Sequence, residues 1–261
     1  MDYSTLLCER HAGIALIRMN QAKKMNALGF ELRKDLLACL DALNRAGGVR
    51  VLVLTGSGKA FCAGGDIQEL KDKRSVSQAR AYVHQVSRII AAIRNIEKPV
   101  IAAVNGAAVG AGFSLAMACD LIVASETAFF SMAFVKIGLV PDLGATYFAP
   151  RFFGGPKAKE LALLGQTLSA GDLYHRGFIN ALVADPEALE PKALDLARQL
   201  AAGPPLAIGL TKKLMNQSWD LNLETALEVE AQSQAACMQS EDFHEGLKAF
   251  LEKRAPCFQG K

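Results

Sequence analysis

The chain of 261 residues carries 29 basic and 26 acidic side chains, a formal charge of +3, with 51% of residues hydrophobic and 21% charged. That length gives one large domain, or one domain with a helical appendage, and the balance is that of a globular protein with a substantial core. The positive charge is too small and too scattered to make nucleic acid the main partner, although it suits a polyanionic small ligand.

The opening stretch MDYSTLLCERHAGIALIRMN lacks the basic region, apolar core and small-residue cleavage site of a secretory leader, and Asp2 and Glu9 fall inside it. The longest apolar stretch, residues 98–121, is broken by glycine, asparagine and serine, so no membrane span is expected. The six cysteines lie far apart, without CxxC or Cys/His ligand spacing. They read as reduced, mostly buried thiols of a cytoplasmic protein. The four histidines are equally isolated, so no metal site is expected.

In chain order, GIALIRM (13–19) is a short β-rich run. A helix follows with Leu32, Leu36, Leu40 and Leu43 on one buried face. VLVLTG (51–56) is a second strand and leads into the loop KAFCAGGDI. A polar helix then runs to about Ile96, followed by the strand PVIAAVNG, a glycine-rich turn and the apolar helix GFSLAMACD. LIVAS is a fourth strand, and AFFSM is extended. Strands alternating with helices predict an α/β fold, and the unbroken apolar runs predict strands covered on both faces. From Gly155 onward the pattern predicts helices only: GlyProLys opens one, Ser169 caps another, and Pro204–Pro205 opens a third. The last, 242–254, carries Phe243, Leu247, Phe250 and Leu251 on one side. The division is an α/β core over 1–200 and a helical part over 201–261.

Two glycine-rich loops follow apolar strands: Ala63-Gly64-Gly65-Asp66, and residues 106–112, GAAVGAG. Glycine in either loop can simply end a strand, and in the second, which opens an apolar helix, it also frees backbone N–H groups to meet an anion. A dinucleotide fingerprint is excluded, because the third glycine of GxGxxG is missing, and no Walker lysine occurs.

The segments KKMNAL, KAFCAGGDI, KPVIAAVNGAAVGAG, LAMACDLIVAS, IGLVPDLGAT and EGLKAFLEKRAPCF resemble, in order and over nearly the whole chain, the signature blocks of the enoyl-CoA hydratase/isomerase (crotonase) family. The resemblance implies a spiral of ββα units with a C-terminal helical trimerisation region, assembled as a trimer or a dimer of trimers. It implies an acyl-CoA thioester substrate, no separate cofactor, and an oxyanion hole made by the N–H groups of Gly65 and Ala111. The family usually has glycine where Ala111 stands, and alanine serves if its backbone angles are allowed. By the same carry-over Lys23, Lys24, Met25, Ala63, Asp66 and Ile67 line the coenzyme A site, and Phe250 and Lys253 reach it from a neighbouring subunit. Without the resemblance, the lysines read as surface charges and Phe250 as core.

Hydratases resembling this chain use two glutamates, and Ser114 and Phe134 stand at the matching positions. A phenyl ring transfers no proton, and a serine hydroxyl is a poor base without an activating neighbour. One acid remains in these blocks, Asp142 in LVPDLG. Isomerases resembling the chain, including the ring-epoxide isomerase of phenylacetyl-CoA breakdown, carry an aspartate in a similar VPD turn. Pro-Asp is also ordinary turn chemistry. In an apolar setting of Phe129, Phe130, Phe134 and Val140, Asp142 is expected to have a raised pKa and to shuttle a proton during double-bond migration. Three alternatives stand beside this: an atypical hydratase or dehydratase using Asp142 with Ser114, a haloaryl-CoA dehalogenase with Asp142 as nucleophile and His84 assisting, and an RNA-binding module, which the modest charge disfavours.

Overall fold

A computed structural model describes residues 3–261, and Met1 and Asp2 of the N-terminal stretch lie outside the described residues. The chain opens with an antiparallel pair, β1 (Leu6–His11) and β2 (Ile14–Met19). The sequence pattern does not reveal β1 because only alternate residues face inward, Leu6 buried and Cys8 half-buried, with Leu7, Glu9, Arg10 and His11 exposed or nearly so. Helix α1 (Phe30–Arg45) buries Leu32, Leu36, Leu40 and Leu43 along one stripe, as their spacing predicts.

Three strand–strand–helix turns follow. β3 (Val51–Gly56) and β4 (Ala60–Cys62) lead into α2 (Ile67–Leu70) and α3 (Val76–Asn95). β5 (Val100–Val104) and β6 (Ala107–Val109) lead into α4 (Ala111–Ala118). β7 (Leu121–Ser125) and β8 (Phe129–Ser131) lead, through a 3-10 turn at Ala133–Ile137, into α5 (Ala145–Phe153). Beyond them lie α6 (Gly155–Leu164), β9 (Thr167–Ser169), α7 (Ala170–His175), β10 (Ala181–Val183), α8 (Leu189–Ala201), α9 (Pro205–Gln217), α10 (Leu223–Met238) and α11 (Glu241–Glu252).

The first strand of each turn enters a sheet of order β1-β2-β3-β5-β7-β10, and the second enters a smaller sheet of order β4-β6-β8-β9. Each repeat therefore adds one strand to each sheet, and the chain winds as the ββα spiral that the resemblance implies. The expectation of helices alone after Gly155 is corrected. β9 closes the small sheet antiparallel to β8, and β10 extends the large one parallel to β7. Three-residue strands are too short to show a period in the sequence. The capping reading holds at Ser169, whose hydroxyl accepts from the Asp172 N–H within a full capping box.

The last helix to cover the large sheet is α8, whose Leu189, Ala193, Ala197 and Ala201 pack with Val51, Val53 and Ile101. α9 is fastened to the core by Lys212, whose Nζ reaches Asp120 Oδ2 at 2.7 Å and donates to the Ile93 and Lys98 carbonyls. All three ammonium protons are thereby used. Helices α9, α10 and α11 enclose an apolar groove of about 1030 Å³ that includes Leu210, Leu214, Leu227, Leu247 and Phe250. The stripe of α11 does not enter the chain's own core: Phe250 is 81% exposed.

Candidate active site

The small sheet sets the geometry. β4, β6 and β8 run parallel, so their carboxyl ends emerge along one edge, where open α/β sheets bind ligands. From that edge come Ala63-Gly64-Gly65 after β4, Gly110-Ala111 after β6, and the 3-10 turn holding Phe134 after β8. They line a cavity of about 210 Å³ together with Leu28, Leu70, Tyr82, Lys136, Leu139 and Asp142.

Two glycines allow the loops to meet. Gly64 lies at φ +105, and a Cβ there would sit 3.0 Å from the Val109 carbonyl. At Gly112 a Cβ would lie 1.9 Å from the Cys62 carbonyl oxygen, so no larger residue lets α4 start against β4. Gly65 and Ala111 both face the cavity, and the N–H of neither donates to a backbone carbonyl among the described residues. Ala111 is the first residue of α4, where the N–H has no partner within the helix and the dipole is positive. Its backbone is right-handed and helical, so alanine stands there without strain.

Asp142 faces the same cavity from the turn before α5. Its Oδ1 is buried and meets no hydrogen-bond donor among the described residues. Burial pushes its carboxyl up to about 6. Such a group holds its proton more tightly in the folded chain, so the stability it lends is full below the ordinary carboxylate range and is lost as pH climbs through about 6. Asp142→Asn is therefore expected to be more stable than wild type at about pH 8, by about 1–2 kcal/mol after solvent screening, and to converge with it near pH 4. Denaturant melts at both pH values check this, and equal differences at the two would contradict it.

Residues 9–261 match the family profile described as Enoyl-CoA hydratase/isomerase. The chain belongs to the enoyl-CoA hydratase/isomerase family. It is 38% identical to 1,2-epoxyphenylacetyl-CoA isomerase of Escherichia coli (strain K12), with 98% of each chain covered. It is also 34% identical to crotonyl-CoA hydratase of Syntrophomonas wolfei over the whole of both chains. Among solved structures, an enoyl-CoA hydratase/isomerase from Cupriavidus metallidurans CH34 superposes with a TM-score of 0.94 at 37% identity, covering 100% of this chain and 98% of that one.

As an enzyme of this family, the chain brings Gly65, Ala111, Asp142, Phe134, Ala63 and Ile67 together around one cavity. Ser114 is fully buried and stands outside that lining, its single hydroxyl proton shared between the carbonyls of Asp142 at 3.0 Å and Gly110 at 3.3 Å. Lys23, Lys24 and Met25 do not line the cavity, although residues 25–28 run along the Ala63-Gly64 loop: Ala63 N–H donates to the Met25 carbonyl and Leu28 N–H to the Gly64 carbonyl. Lys24 Nζ pairs with Asp66 Oδ2 at 3.1 Å and holds that carboxyl below its usual range. Lys23 is exposed and makes no ion pair among the described residues. Phe250 and Lys253 lie on the exposed helical part and do not line the cavity of their own chain.

Of the apolar setting expected for Asp142, Phe134 holds, lining the cavity with it, and the other three residues are corrected. Phe130 turns inward to Phe113 and Phe178, Phe129 is half exposed on the opposite face of β8, and Val140 is largely exposed. Beside Phe134, the apolar walls are Leu28, Leu70, Val86, Leu139 and Leu143, with Tyr82. Tyr82 is steadied by the Arg33 and Arg74 guanidinium groups, each 4.7 Å from its ring centroid. Only the four-residue spacing of Tyr82 and Val86 in the polar helix marks them in the sequence. His84 is exposed on α3 and outside the cavity lining.

Proposed function

We propose that the protein is an enoyl-CoA isomerase, which moves a double bond along an acyl-CoA thioester through a dienolate. The observation that carries this reading is that Asp142 is the only carboxylate on the cavity wall among the described residues. With a 3-enoyl thioester, the Asp142 carboxylate takes a proton from the carbon next to the carbonyl. The electron pair moves onto the thioester oxygen, where the Gly65 and Ala111 N–H groups meet the developing charge. Asp142, now protonated, returns the proton two carbons further on, and the double bond settles into conjugation with the thioester.

Every proton and electron is accounted for within substrate and Asp142, so no cofactor is needed beyond the coenzyme A of the substrate. Hydration, in contrast, asks one group to activate water and another to deliver a proton. Phe134 carries no proton, and the Ser114 hydroxyl is committed to two carbonyls. The hydratase reading is kept as the alternative because a whole-length relative bears the name crotonyl-CoA hydratase. The dehalogenase reading has less support, since His84 is exposed and does not line the cavity.

The exposed stripe of α11 supports a trimer-based assembly in which Phe250 and Lys253 reach a neighbour's nucleotide. Light scattering is expected to give a trimer or hexamer, and an active monomer would contradict that. The reaction itself is tested with a panel of 2-enoyl and 3-enoyl thioesters, scored by absorbance of the conjugated product and by hydroxyacyl formation. Conversion of 3-enoyl thioesters faster than any hydration is expected.

A further inference from the structure

Two machines must keep a fixed distance for a proton to move while an oxyanion forms: the start of α4, with Ala111, and the turn that carries Asp142. They belong to segments about thirty residues apart, and the Asp142 turn is not at rest. Leu143 lies at φ 50 and Gly144 at φ 79, two successive left-handed residues, of which the leucine is strained. The turn is bonded to the helix it precedes, through Ala145 N–H on the Asp142 carbonyl at 3.0 Å. Among the described residues, its one side-chain hydrogen bond from outside comes from Ser114 Oγ, at 3.0 Å from that same carbonyl. The same hydroxyl also faces the Gly110 carbonyl, at 3.3 Å, in the residue just before the Ala111 donor.

We infer that Ser114 is a positioning residue, whose buried hydroxyl bridges the oxyanion-hole helix to the Asp142 turn and so sets the spacing of proton shuttle and thioester oxygen. Ser114 is fully buried and does not line the cavity, so it acts through these two backbones and not on substrate. A mid-helix serine usually bonds only the carbonyl one turn back. Here the second carbonyl, 28 residues away, turns a local bond into a strut. This inference rests on the isomerase reading, in which Asp142 is the shuttle.

The strut has a signature that simple packing lacks. The Asp142 carboxyl keeps its raised pKa because its buried Oδ1 is held away from water. The other titratable groups on the cavity wall are Lys136 and Tyr82, and burial alone supplies the upward push on Asp142. With the turn released, water reaches the carboxylate and its pKa falls.

The test is the pH dependence of kcat on a 3-enoyl-CoA thioester for wild type, Ser114→Ala, Ser114→Thr and Asp142→Asn. Alanine leaves both carbonyls a backbone donor, from Ala145 to Asp142 and from Phe113 and Ser114 to Gly110, so the fold survives. Ser114→Ala is expected to lower kcat about tenfold or more, with KM within about twofold, and to move the acid limb to lower pH. Ser114→Thr, which keeps the hydroxyl, is expected to restore both. Wild-type kcat and acid limb in Ser114→Ala would overturn the inference, as would a lower kcat with the limb unmoved. Asp142→Asn separates the role of Ser114 from the reaction itself. If the limb survives in that variant, the isomerase reading fails. If it disappears there yet stays fixed in Ser114→Ala, only the role of Ser114 fails.

Discussion

Asp142→Asn is expected to slow double-bond migration by about 10²–10⁴-fold, the usual contribution of a positioned general base. The asparagine keeps the shape of the side chain but cannot take the proton, and no other carboxylate on the cavity wall among the described residues stands ready to replace it. In the wild type, activity is expected to fall as pH drops through about 6, where Asp142 becomes protonated and is lost as a base. The variant's residual rate should show no such limb. Coenzyme A affinity is expected to change little, because the residues that the resemblance assigns to the nucleotide, Lys23, Lys24 and Ile67, lie on other elements. Single-turnover rates with a 3-enoyl thioester, alongside calorimetric titration of coenzyme A, check both halves. Wild-type migration in a folded Asp142→Asn would remove Asp142 from the mechanism.

Ala111→Pro carries the second large effect. Ala111 is the first residue of α4, a position where proline fits a helix without costing it a hydrogen bond. What disappears is the N–H of a cavity-lining residue that meets no backbone carbonyl among the described residues. Loss of an oxyanion donor costs about 2.7–4 kcal/mol, so kcat should fall about 10²–10³-fold with the circular dichroism spectrum unchanged. Coenzyme A binding is the control, and it is expected to change little. Unchanged turnover in a folded variant would show that the Ala111 N–H does not meet the developing charge.

The parts of this site that rest on short, contiguous signals are legible in the sequence. Gly64, Gly65 and Ala111 follow apolar strands directly, and Asp142 stands out because, by the resemblance, Ser114 and Phe134 stand where hydratases carry glutamates. Local capping chemistry is readable too, at Ser169 and at Pro205. What escapes depends on which distant segments meet. Tyr82 and Val86 belong to a polar helix whose inward side becomes cavity wall only because α3 packs over the β4 and β6 loops. Phe130 reads as a neighbour of Asp142, but strand alternation points it into the Phe113–Phe178 cluster. Ser114 is readable as a missing base, whereas its bond to the Asp142 carbonyl spans 28 residues and has no local pattern. β9 and β10, at three residues each, are strands only because an edge is open beside β8 and β7.

That one carboxylate moves a double bond and does not add water is tested most directly by NMR of a 3-enoyl-CoA thioester turned over in deuterated water. The conjugated 2-enoyl thioester is expected as the main product. Deuterium should appear at the carbons that exchange protons with Asp142, and Asp142→Asn should form this product about 10²–10⁴-fold more slowly. A spectrum dominated by 3-hydroxyacyl-CoA, formed at the same rate in wild type and Asp142→Asn, would contradict it.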